Sequence, residues 1–158
     1  MLRHLPHTGV VAEIGTLRGD FARTIMAVAQ PRNLHLIDID FSGLDPRGLD
    51  EPSVTRGVGL SHEVIASYAA NTFDWIYIDA DHAYDAVLRD ARASNAPLKP
   101  GGYLIFNDFC HIDPYLGRYG VKRAATDFIL ETGWPVAFLA LQGDGLYDLA
   151  IRKPEAQR

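Results

Sequence analysis

The chain carries one cysteine, Cys110, so no internal disulfide can form. A reducing cytoplasm is the expected setting, and Cys110 is expected to be a small buried residue, since no nucleophile pattern surrounds it. No apolar stretch approaches the roughly 20 residues that a membrane helix needs, so no membrane partner is expected. The N-terminus, MLRHLPHTGV, has no apolar signal-peptide core. A basic cluster is lacking too, and with a net charge of −5 a nucleic acid is not an expected partner. Repeats, low-complexity tracts and interdomain linkers are absent. At 158 residues, 47% hydrophobic and 22% charged, the chain is expected to fold as one globular domain over residues 1–158.

What is present is an alternation of strand and helix patterns. Val10–Ile14, residues 34–39, Val54–Val58, residues 75–78 and residues 103–106 read as short buried strands. Helical patterns cover Asp20–Ala29, about residues 61–70, Tyr84–Ser94 and Val121–Thr132, and Gly133 reads as the residue that closes the last helix. Lys99-Pro100-Gly101-Gly102 reads as a sharp turn. Val136–Leu141 and residues 146–151 flank Gly143-Asp144-Gly145, a hairpin signal. Repeated β-α units imply an α/β fold, a Rossmann-like doubly wound sheet of seven strands. It should be mostly parallel, with an antiparallel C-terminal hairpin strand.

Ligands of such sheets collect at the carboxyl ends of the strands. Residues 73–84, FDWIYIDADHAY, carry an apolar run that ends in Asp79, with His82 three residues later. The run at 103–106 ends in Asn107-Asp108. As neighbours, these ends would offer carboxylate and amide oxygens and one imidazole at a single rim, which suits a hard divalent cation with a general base beside it. The plainer reading makes Asp81 the cap of a helix starting near Ala83, with His82 in its first turn.

Glu13-Ile14-Gly15-Thr16-Leu17-Arg18-Gly19 forms the first strand–helix turn. Gly15 and Gly19 permit a tight turn, but Leu17 stands where a dinucleotide fingerprint needs its middle glycine, which disfavours NAD or FAD. A carboxylate at Glu13 would repel a phosphate and attract a cationic amine. Asp38 and Asp40 lie on one face at the end of the second strand, where acids accept hydrogen bonds from ribose hydroxyls. A phosphate-free ribosyl ligand carrying an amino acid, S-adenosylmethionine, fits all of these acids. The plainer reading leaves turn glycines and solvated acids. Residues 109–120, FCHIDPYLGRYG, are expected to form one wall of an acceptor pocket, with His111 and Asp113 at the surface.

The runs E-I-G-T-x-R-G, L-I-D-I-D, G-L-S-H-E-V-I, Y-I-D-A-D-H-A-Y and L-K-P-G-G-Y-L-I-F-N-D together resemble class I S-adenosylmethionine-dependent methyltransferases. The nearest resemblance is to small-molecule O-methyltransferases of the macrocin and catechol type, over residues 10–151. It implies that Glu13 binds the methionine amino group, with Gly15, Thr16 and Gly19 in the cofactor-binding turn. Asp38, or Asp40 one pleat on, would bind the ribose, and Ser61 and His62 the adenine. Read alone, Ser61 is a helix N-cap and His62 a surface residue.

The resemblance further implies Asp79, Asn107 and Asp108 as ligands of Mg²⁺ or Mn²⁺, and His82 as catalytic base toward a small-molecule hydroxyl, a phenol or a sugar. The Asn-Asp order departs from the acid-acid pair of the macrocin type and the Asp-Asn pair of the catechol type. A non-catalytic S-adenosylmethionine-binding module is the competing reading. Nicotinamide oxidoreductases are disfavoured by Leu17 and Glu13. N-methyltransferases of nucleic acids or proteins commonly carry an Asn/Asp-Pro-Pro-Tyr segment where Ile-Asp-Ala-Asp-His stands. About nine residues precede Val10, so an acceptor pocket open to large molecules, or completed by a second subunit of a homo-oligomer, is expected.

Overall fold

A computed structural model describes residues 1–115, 117–141 and 147–155. Seven strands form one sheet: β1 (Val10–Ile14), β2 (Asn33–Asp38), β3 (Val54–Val58), β4 (Phe73–Ile78), β5 (Leu98–Phe106), β8 (Val136–Leu141) and β9 (Tyr147–Arg152). Their order is β3-β2-β1-β4-β5-β9-β8. The first five are mutually parallel, and β9 runs antiparallel to both β5 and β8. This is the expected Rossmann-like sheet. The hairpin signal Gly143-Asp144-Gly145, with Leu146, lies outside the described residues.

Each face is closed by the helices whose apolar stripes the sequence shows. On one side α2 (Ser61–Ala66), α3 (Tyr84–Ser94) and α4 (Val121–Thr132) pack Ile65, Val87, Leu88, Ala91 and Phe128 against Ile14, Ile76, Ile78 and Leu104. On the other, α1 (Asp20–Ala29) brings Ala22 and Ile25 against Val11, Trp75, Tyr77 and Ile105. The residues ahead of β1 complete that second face. Leu2 and Leu5 join its core, and the Trp75 indole donates to the Pro6 carbonyl at 3.1 Å. No described helix is long and apolar enough to cross a membrane.

Several expected boundaries move. Helix α2 stops at Ala66 rather than residue 70, where the Ser67 hydroxyl turns back to the Val64 carbonyl at 2.7 Å. Ile39 falls outside β2 and is exposed. Lys99 to Gly102 sits inside β5 as a bulge, because the pairing jumps from Phe73↔Leu98 to Trp75↔Tyr103. Within residues 109–120 two short strands pair, β6 (Ile112–Asp113) with β7 (Gly117–Arg118). Cys110, expected to be buried, is exposed in this segment, since the loop carries it away from the core.

The strand order reverses direction between β1 and β4, and a ligand crevice opens at such a point. The two strand ends touch there. Gly15 has φ 87°, and a Cβ on it would lie 2.1 Å from the Asp79 carbonyl oxygen. Gly15→Ala is therefore expected to combine left-handed backbone strain of about 1–3 kcal/mol with a backbone clash. Thermal unfolding should show a marked fall in Tm.

Candidate functional site

A cavity of about 670 Å³ lies beyond the carboxyl ends of β1, β2 and β4. Glu13 is at its floor, 1% exposed. Burial pushes the Glu13 carboxyl up to about 8; the Asp79 and Asp38 charges add to this and the Thr16 side chain opposes it. Glu13 Oε2 and Thr16 Oγ1 are both buried without a hydrogen-bond partner. Such orphaned acceptors are costly, and here they border a cavity where a donor could sit.

Asp38 lines the same cavity and builds its wall. Its Oδ2 accepts from the backbone N–H of Thr16 at 2.8 Å and of Leu17 at 3.0 Å. These two hydrogen bonds hold Leu17 at φ 49°, a left-handed conformation unfavourable for a branched residue. Asp40 does not share this place. It is exposed and turned to Ser42, whose N–H donates at 2.8 Å and whose hydroxyl also donates; these bonds hold its carboxyl below the ordinary value. Gly19, at φ 79°, is packed under Leu44 and Leu49 and leaves no room for a Cβ, so it shapes the loop without lining the cavity.

Ser61, His62 and Asp90 also line the cavity. The Ser61 hydroxyl donates to Asp90 Oδ1 at 2.6 Å, and Ser61 begins α2 instead of capping it. Asp90 is 1% exposed, and burial raises its carboxyl pKa against the pull of Ser61. Sequence reasoning missed Asp90. Its signal is an acid inside the apolar stripe Val87, Leu88, Ala91 of α3.

Asp79, His82 and Asp108 come together at the ends of β4 and β5. His82 Nε2 lies 3.5 Å from Asp79 Oδ1 and 3.8 Å from Asp108 Oδ2, both beyond hydrogen-bond length, and is buried with no hydrogen-bond partner. Burial alone would lower the His82 pKa, but Asp79, Asp108 and the Asn107 side chain outweigh it and raise it. Burial likewise raises the Asp79 carboxyl, against the pull of His82. Asp108 sits at φ 52°, which an aspartate tolerates better than most residues. Asp81 Oδ1 accepts from Ala83 N–H at 2.8 Å and shapes the turn that carries His82.

Residues of the loop expected to form an acceptor wall pack over His82. Tyr119 stacks on the imidazole at 4.4 Å between centroids, His111 meets Tyr119 edge-on, and the His82 carbonyl accepts from Gly120 N–H. Asn107 is turned away from the carboxylates through its Nδ2, which donates to the Tyr77 hydroxyl at 2.8 Å and to Asp148 Oδ1 at 3.2 Å. Among the described residues, no group of three or more His, Cys, Asp or Glu side chains is placed to hold a metal ion. The expected ligand trio is gathered, but with an imidazole between its two acids.

A second cavity, about 480 Å³, lies across Asp79 from the first. Phe21, Tyr77, Asn107, Leu141 and Asp148 line it together with residues 1–4. Burial, then the Asp148 charge, raises the Tyr77 hydroxyl pKa. Asp79 lines both cavities.

Comparison with known proteins adds a family. A family model described as a methyltransferase domain matches residues 12–109, a span that includes every residue placed around the first cavity and the Asn107-Asp108 pair. No curated protein sequence matches the chain. Among solved structures, a SAM-dependent methyltransferase from Aquifex aeolicus superposes with a TM-score of 0.72 at 15% identity, covering 95% of this chain and 85% of that one. The putative methyltransferase bound to the Trm112 activator of Haloferax volcanii gives 0.76 at 12% identity, covering 99% and 88%. The N-methyltransferase NodS from Bradyrhizobium japonicum gives 0.70 at 17% identity, covering 95% and 88%. At these identities the likeness is one of fold.

Proposed function

Because the chain belongs to the methyltransferase-domain family, we propose that it transfers a methyl group from S-adenosylmethionine to a hydroxyl of a small molecule, a phenol or a sugar, with His82 as base. One observation carries this reading: Asp79, with His82 beside it, is a shared wall of two cavities. A donor in one and an acceptor in the other would meet at that wall.

The orphaned oxygens of the first cavity fit this cofactor. Glu13 Oε2 and Thr16 Oγ1 lack partners, and an α-ammonium group supplies donors to them. Asp38 has Oδ2 committed to two backbone N–H groups, so its remaining lone pairs accept from the ribose hydroxyls. Ser61, its hydroxyl hydrogen directed to Asp90, presents lone pairs to the adenine amino group, and His62 borders the base. When bound, S-adenosylmethionine supplies an electrophilic methyl group on sulfur. His82 Nε2 takes the proton of the acceptor hydroxyl, and the Asp79 and Asp108 carboxylates stabilise the imidazolium that results.

Asp79, Asp108 and the Asn107 amide oxygen are donors of the type a hard cation takes, although the His82 imidazole stands between the two acids. Two carboxylates and the Asn107 amide oxygen, with a charge of about −2 between them, would hold Mg²⁺ or Mn²⁺. Such an ion supplies Lewis acidity that lowers the hydroxyl pKa.

Titration calorimetry with S-adenosylhomocysteine is expected to show micromolar-range binding, weakened by about 1–3 kcal/mol in Asp38→Ala, where ligand hydroxyls lose their acceptor. Binding of NAD with none of S-adenosylhomocysteine would overturn the reading. Activity toward catechol is expected to fall on exhaustive chelation and return with Mg²⁺. Full activity after chelation would leave His82 as the sole activator and remove the metal.

A further inference from the structure

Behind Asn107 lies a polar group made by Tyr77 and Asp148. Asp148 is on β9, 2% exposed, next to the buried apolar run Leu149, Ala150 and Ile151. The antiparallel register Phe106↔Leu149 carries it opposite Asn107. Its Oδ1 accepts from Asn107 Nδ2 at 3.2 Å and from the Tyr77 hydroxyl at 3.4 Å, while the same Nδ2 donates to Tyr77 at 2.8 Å.

We infer that Asp148 is a positioning residue: with Tyr77 it locks the Asn107 side chain so that the carbonyl oxygen, and not the NH₂, faces His82, Asp79 and Asp108. An asparagine amide is nearly symmetric in shape, so packing alone does not choose between its two ends. A carboxylate does choose, because it only accepts. The amide hydrogens turn to Asp148 and Tyr77, and the oxygen is left for the other side of the group, where Asp79 shares the wall of the second cavity with Asn107. The Asn107 oxygen then joins the Asp79 and Asp108 carboxylates that flank His82 Nε2. With the amide reversed, a donor would oppose the imidazolium, and one oxygen would be lost from the set. The consequence for catalysis rests on the methyl-transfer reading; the orientation does not.

The orientation can be read by NMR on the full chain. In the wild type, the Asn107 Hδ2 protons should show NOEs to the Tyr77 ring and none to the His82 ring. Asp148→Asn offers a donor as well as an acceptor, so NOEs to the His82 ring should appear and the His82 Nε2 nitrogen signal should shift. Tyr77→Phe keeps the carboxylate and should retain the wild-type orientation. Pairing Asp148→Asn with Asn107→Asp should restore an oxygen facing His82 and return the Nε2 signal toward its wild-type position. This pair also serves if the single variant folds poorly. Wild-type NOEs from the amide to His82, or a Nε2 signal in the paired variant as displaced as in Asp148→Asn, would overturn the inference. Calorimetry with S-adenosylhomocysteine on the same samples separates the two ideas. A wild type that fails to bind it but shows the expected NOEs loses the methyl-transfer reading and keeps the positioning role.

Discussion

His82→Ala is expected to lower kcat by about 10²–10⁴-fold, the usual contribution of a positioned general base, while S-adenosylhomocysteine affinity stays nearly unchanged. The two effects are expected to separate because the polar groups proposed to hold the cofactor are those of Glu13, Thr16 and Asp38, not His82. The ring is held from several sides at once. Tyr119 stacks on it, Gly120 binds its carbonyl, and two carboxylates flank Nε2. A ring fixed in this way, with Nε2 buried and unpartnered, is arranged for a proton and not for packing. The acceptor should be an aliphatic or sugar hydroxyl, since an acidic phenol needs little help from a base. Near-normal kcat in the variant would return His82 to a residue that merely starts a helix. A parallel loss of cofactor affinity would show that it supports the cavity instead.

Affinity for S-adenosylmethionine is expected to rise with pH by up to about tenfold per unit toward pH 8 and then level off. Glu13 sets this. Burial holds its carboxyl near 8, so below that value the free protein keeps Glu13 protonated and neutral. A cationic ammonium group prefers the carboxylate, and binding must then release the proton. Calorimetry in buffers of different ionisation enthalpy should detect that proton below pH 8 and lose it above. Glu13→Gln should flatten the profile and weaken binding most at pH 8 and above.

Stability without ligand moves the other way. Between the unfolded value of 4.5 and about 8, the unfolded chain has lost a proton that the folded protein retains. Folded stability therefore falls as pH rises through this window, by at most about 1.4 kcal/mol per unit, and Glu13→Gln should remove that slope. A flat affinity profile in the wild type would place the ammonium group away from Glu13.

The site divides cleanly by how its residues arrive. Glu13, Asp38 and Asp79 sit at or beside the ends of apolar runs, with His82 three residues past one of them, and a strand end in a parallel sheet faces the ligand crevice whatever the rest of the chain does. Residues whose place depends on a turn or on a distant partner behaved differently. Asp40 lies one pleat past Asp38, yet the chain leaves the sheet at Ile39 and its carboxylate serves Ser42. Gly19 supports the loop from beneath Leu44 and Leu49. Ser61 has the look of a cap, but a buried acid 29 residues on takes its hydroxyl.

Local pattern by itself determined the alternation of β and α, the seven-stranded sheet and the acids at its carboxyl edge, because period-2 and period-3.6 burial are written into neighbouring residues. Tertiary structure alone decided what those acids do to one another. It buried Glu13 deeply enough to raise its pKa, set an imidazole between Asp79 and Asp108, and inserted antiparallel β9 so that Asp148 stands opposite Asn107. Such effects depend on distances and desolvation between residues far apart in the chain, and no spacing along the sequence encodes them.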